Sequence, residues 1–164
     1  MPEVIFPGPE GRLEGRYHPQ KERDAPIAIV LHPHPQFGGT MNNNSKHCWV
    51  AGFSFGAWIG MQLLMRRPEI TGFISVAPPA NMYDFSFLAP CPASGLVING
   101  TADRVAPPAD TASLVSKLHE QRGITITHEQ IEGAGHFFDG PGQMDQMIGT
   151  VSDYVKRRLT ESSR

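Results

Sequence analysis

Residues 48–67 read Cys-Trp-Val-Ala-Gly-Phe-Ser-Phe-Gly-Ala-Trp-Ile-Gly-Met-Gln-Leu-Leu-Met-Arg-Arg, and they change period in the middle. "CWVAGF" (48–53) is a continuous apolar run of the length and composition of a strand buried on both faces. From Phe55 on, Ala57, Met61, Leu64 and Met65 recur at helical spacing until Pro68 stops the helix. The switch falls on Gly52-Phe53-Ser54-Phe55-Gly56, a G-x-S-x-G pentapeptide at a strand-to-helix turn. Such a turn holds its serine in a strained backbone conformation and projects the hydroxyl above the sheet. The plain alternative is a strand-end turn with a serine in it.

Outward from this stretch the same alternation continues. "IAIVLH" (27–32) upstream, then "GFISVAPP" (72–79) and "SGLVING" (94–100) downstream, read as further buried strands. "PADTASLVSKLHEQRG" (108–123) is an amphipathic helix closed by Gly123, "ITITHEQIEG" (124–133) a last strand, and "GQMDQMIGTVSDYVKRRLT" (142–160) the closing helix. "EVIF" and "RLEGRYH", split by "PGPEG", predict an antiparallel hairpin at one edge. Strands alternating with helices predict an α/β fold, a mostly parallel, doubly wound sheet forming a single domain over 1–164. A chain of 164 residues suffices for one core.

Composition narrows the function. A net charge of −2 and the absence of long basic runs speak against nucleic-acid binding. The start "MPEVIFPGPEGRLEG" lacks the pattern of an export signal, and "AWIGMQLLM" is far short of the ~20 apolar residues of a membrane span. The two cysteines, Cys48 and Cys91, make no disulfide framework. A cytoplasmic protein with no membrane partner is expected.

A serine hydroxyl attacks a carbonyl only when a base removes its proton, and the base needs an orienting carboxylate. In a sheet of this kind the chain order is Ser, then Asp or Glu, then His. "INGTADRVAPP" carries Asp103 just past one strand, and "IEGAGHFFD" carries His136 just past the last. Both therefore join Ser54 at the carboxyl edge of the parallel strands. Taken singly, Asp103 reads as a helix-leading carboxylate and His136 as a turn histidine. Asp84, Asp110 and Asp139 are weaker candidates for the acid: Asp84 follows another strand, Asp110 starts a helix, and Asp139 lies too close behind His136. Two donors should face the developing oxyanion. The backbone N–H of Phe55 is one. His34 or Gln36 in "PHPQFGG" supplies the other, because Pro33 and Pro35 have no N–H. Met82, Tyr83, Phe85 and Phe87 are candidates for an apolar substrate pocket, although an aromatic cluster also suits a core. His32-x-His34 as a metal pair lacks further ligands. His18, His47, His119 and His128 read as surface or strand-face residues. No cofactor and no metal are expected.

"LHPHPQFGGTMNN", "GFSFGAWIGMQLL", "NGTADRVAPP" and "EGAGHFFDG" together resemble a small bacterial α/β-hydrolase of the dienelactone-hydrolase-like group. The resemblance covers nearly the whole chain in two blocks, 1–43 and 44–164. It implies the α/β-hydrolase fold and a serine-esterase mechanism on a small-molecule ester. Dienelactone hydrolases carry cysteine where this chain has Ser54, which favours a general ester or thioester over a lactone. A thioesterase or small peptidase would share the machinery, and a non-catalytic remnant would share the scaffold. In that family a helix, a strand and a second helix separate "LHPHP" from the serine strand, whereas here only "QFGGTMNNNSKH" does. An internal block is therefore expected to be absent near 43–44, leaving apolar faces uncovered and a chain that is poorly stable or self-associates.

Overall fold

The computed structural model describes residues 3–8, 11–16, 27–31 and 48–161, with side chains described from residue 48 on. The elements run in the order β1 (Glu3–Gly8), β2 (Gly11–Arg16), β3 (Ile27–Leu31), β4 (Cys48–Phe53), α1 (Phe55–Arg66), β5 (Gly72–Val76), β6 (Gly95–Gly100), α2 (Pro108–His119), β7 (Ile126–Ile131) and α3 (Gln143–Glu161). A single 3-10 turn, Ser86–Leu88, interrupts the connection from β5 to β6.

β3 to β7 form one sheet in sequence order, and every neighbouring pair is parallel. Parallel strands need a covering layer on each face, which is why β4, β5 and β6 are apolar along their length. The two faces gather two separate clusters. Phe73 and Val97 point to one, where Met61 and Leu64 of α1 and Leu114, Val115 and Leu118 of α2 close over them. Ile74, Leu96 and Ile98 point to the other, with Tyr154 of α3 above. Each fully buried side chain of this size contributes about 1.5–3 kcal/mol relative to exposure. α3 carries its apolar residues on one side only, so Met147, Val151 and Val155 back that second cluster while Lys156 and Arg157 stay in water.

The hairpin forms as the sequence predicts, with Gly8 paired to Gly11 at its turn, but not at the edge of the large sheet. Among the described residues β1 and β2 make a two-stranded sheet of their own, and β3 is the outer strand of the five. A strand of the kind expected to be absent between them would be the missing neighbour. No helix among the described residues is long and apolar enough to cross a membrane.

Candidate active site

Ser54 lies between the last residue of β4 and the first of α1, with φ 53° and ψ −122°. That is a left-handed conformation which L-residues avoid, and it is held by the surroundings. The Ser54 N–H donates to Val76 O at 2.8 Å, and its own carbonyl accepts the Ala57 N–H at 2.9 Å. Strand and helix meet so closely that a Cβ on Gly52 would run into the Gly56 carbonyl. A serine at a helix start ordinarily turns its hydroxyl back onto the first free N–H groups. Here no such cap is made. The hydroxyl is directed instead to His136 Nε2 at 2.9 Å.

His136 belongs to the turn after β7 and is buried. Its Nδ1 stands 2.8 Å from Asp103 Oδ2, in a pair whose side chains are 6% and 0% exposed. A carboxylate only accepts, so Nδ1 carries the proton and Nε2 offers its lone pair to the Ser54 hydroxyl. Asp103 performs the modest task and the specific one together. Its Oδ1 accepts the N–H groups of Val105 and Ala106 at 2.8 and 2.9 Å, closing its own turn, and this leaves Oδ2 free for the imidazole.

Two loops must keep their spacing for this pair to hold, and three hydrogen bonds tie them. Thr101 N–H donates to Ile131 O at 3.0 Å, Ala102 N–H to Ala134 O at 3.0 Å, and Gly133 N–H to Thr101 Oγ1 at 2.8 Å. Phe138, at φ 53° and 1% exposed, anchors the histidine turn in the α3-side cluster. Thr101 and Phe138 were not among the sequence candidates. "HFF" does not reveal which phenylalanine turns inward, and a threonine after a strand carries no signal of its own.

The structure thus brings Ser54, Asp103 and His136 into one hydrogen-bonded line, while the rival acids go elsewhere. Asp84 accepts the Ser86 N–H at 2.8 Å and hydroxyl at 2.6 Å, which hold its carboxyl below the usual range. Asp110 lies in the first turn of α2, and Asp139 is exposed. Phe55 is the first residue of α1, where a backbone N–H has no helical partner. His34 and Gln36, the other oxyanion candidates, lie outside the described residues, as do His18, His32 and His47.

The four residues expected to form an apolar pocket divide. Tyr83 stacks on Trp58 at 5.0 Å and approaches the Phe55 ring at 5.4 Å, while Trp58 Nε1 donates to Asp84 O at 2.9 Å. These contacts dock the connection after β5 against the helix that Ser54 begins. Phe85 is core, 7% exposed, and Phe87 stacks on it at 6.1 Å. Phe87, like Tyr83, is half-buried and packs against the same core cluster. Met82 is exposed. A cavity of about 630 Å³ between this connection and α2 has Tyr83 and Phe85 in its wall, but none of Ser54, Asp103 and His136. His128 is a strand-face residue of β7 and half-buried, with Nε2 donating to the fully buried Asn99 Oδ1 at 2.6 Å.

No protein-family model matches the chain. An uncharacterized protein of Rickettsia prowazekii (strain Madrid E) is 38% identical over 213 residues, covering 94% of this chain and 89% of the relative. At least 49 of those positions (213 less 164) have no residue of this chain opposite them. That is on the order of a helix–strand–helix unit with its loops. A serine hydrolase without lid from Xanthomonas campestris superposes with a TM-score of 0.73 at 22% identity, covering 95% of this chain and 94% of that one, a likeness of fold. A crystal structure from Agrobacterium tumefaciens, of a protein of unknown function described as an alpha/beta hydrolase, is 51% identical with a TM-score of 0.86, covering 98% of this chain and 97% of its own. On that likeness, together with the sheet and its strand-to-helix serine turn, the chain belongs to the alpha/beta hydrolases.

Proposed function

We propose that this chain is a serine hydrolase of esterase type, cleaving the carboxylic ester or thioester of a small substrate through an acyl-enzyme on Ser54. The observation that carries the reading is the unbroken line from Ser54 Oγ to His136 at 2.9 Å and from His136 to Asp103 at 2.8 Å. A serine with only a structural role at this helix start would cap the helix, and this one does not.

In the proposed cycle His136 Nε2 takes the Ser54 proton as Oγ bonds to the carbonyl carbon. Asp103, charged and shielded from water, stabilises the imidazolium that results. The Phe55 N–H, together with a donor from 34–36, steadies the oxyanion. The imidazolium then protonates the leaving group, and a water activated by the same nitrogen frees the acyl group. No cofactor enters. The placing within the dienelactone-hydrolase-like group belongs to this proposal, with the serine alkoxide in place of that group's thiolate. So does a cytoplasmic setting. A thioesterase or a small peptidase would differ in the leaving group alone.

The test is labelling of native protein with a fluorophosphonate, mapped by mass spectrometry, beside Ser54→Ala and a heat-denatured control. An adduct on Ser54 in the native wild type alone is the expected result. No adduct would reduce the chain to a hydrolase-like scaffold whose line of side chains does not activate the hydroxyl.

A further inference from the structure

Phe137 is the most exposed large apolar side chain among the described residues, at 61%. A lone exposed phenylalanine usually needs no explanation. This one stands beside the imidazole: its ring lies 5.1 Å from that of His136, edge-on at 82°. Phe53, half-buried at the end of β4, approaches the same imidazole at 5.2 Å and Phe137 at 6.0 Å. The histidine therefore sits against two aromatic rings, one of them largely in water. The fold does not require this, because the next residue, Phe138, already anchors the turn from within the core.

The position has a chemical meaning. In acyl transfer the protonated base must hand its proton from Nε2 to the atom that departs, so the departing group lies within hydrogen-bond reach of that nitrogen. The acyl carbon would be held by Ser54 Oγ, and Phe137, its ring centroid 5.1 Å from that of the imidazole and 61% exposed, is apolar surface beside the group that hands over the proton. A planar group on that oxygen packs on Phe137 at the 4.5–7 Å spacing aromatic pairs prefer.

We propose that Phe137, with Phe53 behind it, is a leaving-group subsite selecting esters of aromatic alcohols. The inference rests on the hydrolase reading above. In the step it serves, Ser54 Oγ bonds to the carbonyl carbon, the bond from that carbon to the aryl oxygen breaks, and the serine proton passes through His136 to that oxygen. A phenol leaves and the acyl group stays on Ser54. Water then takes the acyl group, giving a carboxylic acid and the free serine.

Phenyl acetate and methyl acetate test this, since both deliver the same acetyl group and differ only in what leaves. Phe137→Ala, Phe137→Trp and the wild type are compared in kcat/KM for each ester, with release of acetyl from Ser54 followed separately by mass spectrometry. Phe137→Ala is expected to lower the phenyl-to-methyl ratio about tenfold, and Phe137→Trp to keep it. Comparing variants cancels the intrinsic advantage of phenol as a leaving group. An unchanged ratio in Phe137→Ala overturns the subsite. So does acetyl release slowing as much as acylation, because the phenol has gone by then and the loss would lie in the triad's geometry. If wild type hydrolyses neither ester and Ser54 takes up no fluorophosphonate, the hydrolase reading fails and the subsite falls with it, an outcome distinct from the other two.

Discussion

In Asp103→Asn the side chain keeps its shape, and one carboxylate oxygen becomes an NH2 group. The surroundings decide which. Two N–H groups, from Val105 and Ala106, converge on Oδ1 at 2.8 and 2.9 Å. Turning the amide nitrogen toward them would leave both donors unpaired in a residue that is 3% exposed, at a cost of about 1–3 kcal/mol each. The amide oxygen must stay at Oδ1, so the NH2 faces His136 Nδ1. That nitrogen then has to accept, and the neutral imidazole carries its proton on Nε2, pointing at Ser54 Oγ. The lone pair that would take the serine proton is gone, although no heavy atom has moved. The expected loss in kcat/KM is about 10⁴-fold, the size seen when the same tautomer is trapped in serine proteases, or about 5.5 kcal/mol of barrier. Stability should fall less, by about 1–3 kcal/mol, for one charge-assisted hydrogen bond weakened. Rates of ester hydrolysis and of fluorophosphonate labelling measure the first, a urea melt the second, and nitrogen NMR of His136 the tautomer. Activity within tenfold of wild type, or a proton still on Nδ1, would refute the reasoning.

Ser54→Gly should abolish labelling yet raise stability by about 1 kcal/mol, because glycine adopts φ 53° without strain; a lower urea midpoint than wild type would count against a strained serine. Gly52→Ala should cost about 3 kcal/mol or prevent folding, since its methyl group would lie 2.6 Å from Ala57 N, and a melt within 1 kcal/mol of wild type would contradict so close an approach. Burial, with His119 second, holds the His128 pKa below its ordinary 6.5. The neutral form is the folded one, so its contribution is complete above about pH 6.5 and is lost as pH falls through the lowered value. Melting temperatures from pH 7.5 to 4.5 should therefore drop less steeply in His128→Gln than in wild type, and parallel curves would remove His128 from the account.

The parallel core was legible because strands buried on both faces have no polar alternation to blur them, and β4 begins and ends where the apolar run does. Helix α1 was legible from its period and its closing proline. The convergence of Ser54, Asp103 and His136 could be read because each stands at or just past the end of a strand, and parallel strands carry those ends to a common edge. What the sequence did not disclose depends on contacts between distant segments. The left-handed turns at Ala77 and Phe138 use residues with no preference for that conformation. The bond from His128 to Asn99 joins two strands across 29 residues, and nothing local marks a strand-face histidine as half-buried. The aromatics after β5 were ambiguous for the same reason. Only the docking of that connection on α1 and α2 separates Tyr83, beside the serine turn, from Phe85 in the core.

The contact between Ser54 and His136 spans 82 residues of chain, and three strands must pair before the two side chains can meet. On a ribosome, Ser54 emerges long before His136, so under the proposed mechanism a nascent chain stopped anywhere before β7 would hold an inert serine. If Ser54 is reactive as proposed, that reactivity gauges completed folding, and a fluorophosphonate added during synthesis would report the moment at which the last parallel strand joins the sheet.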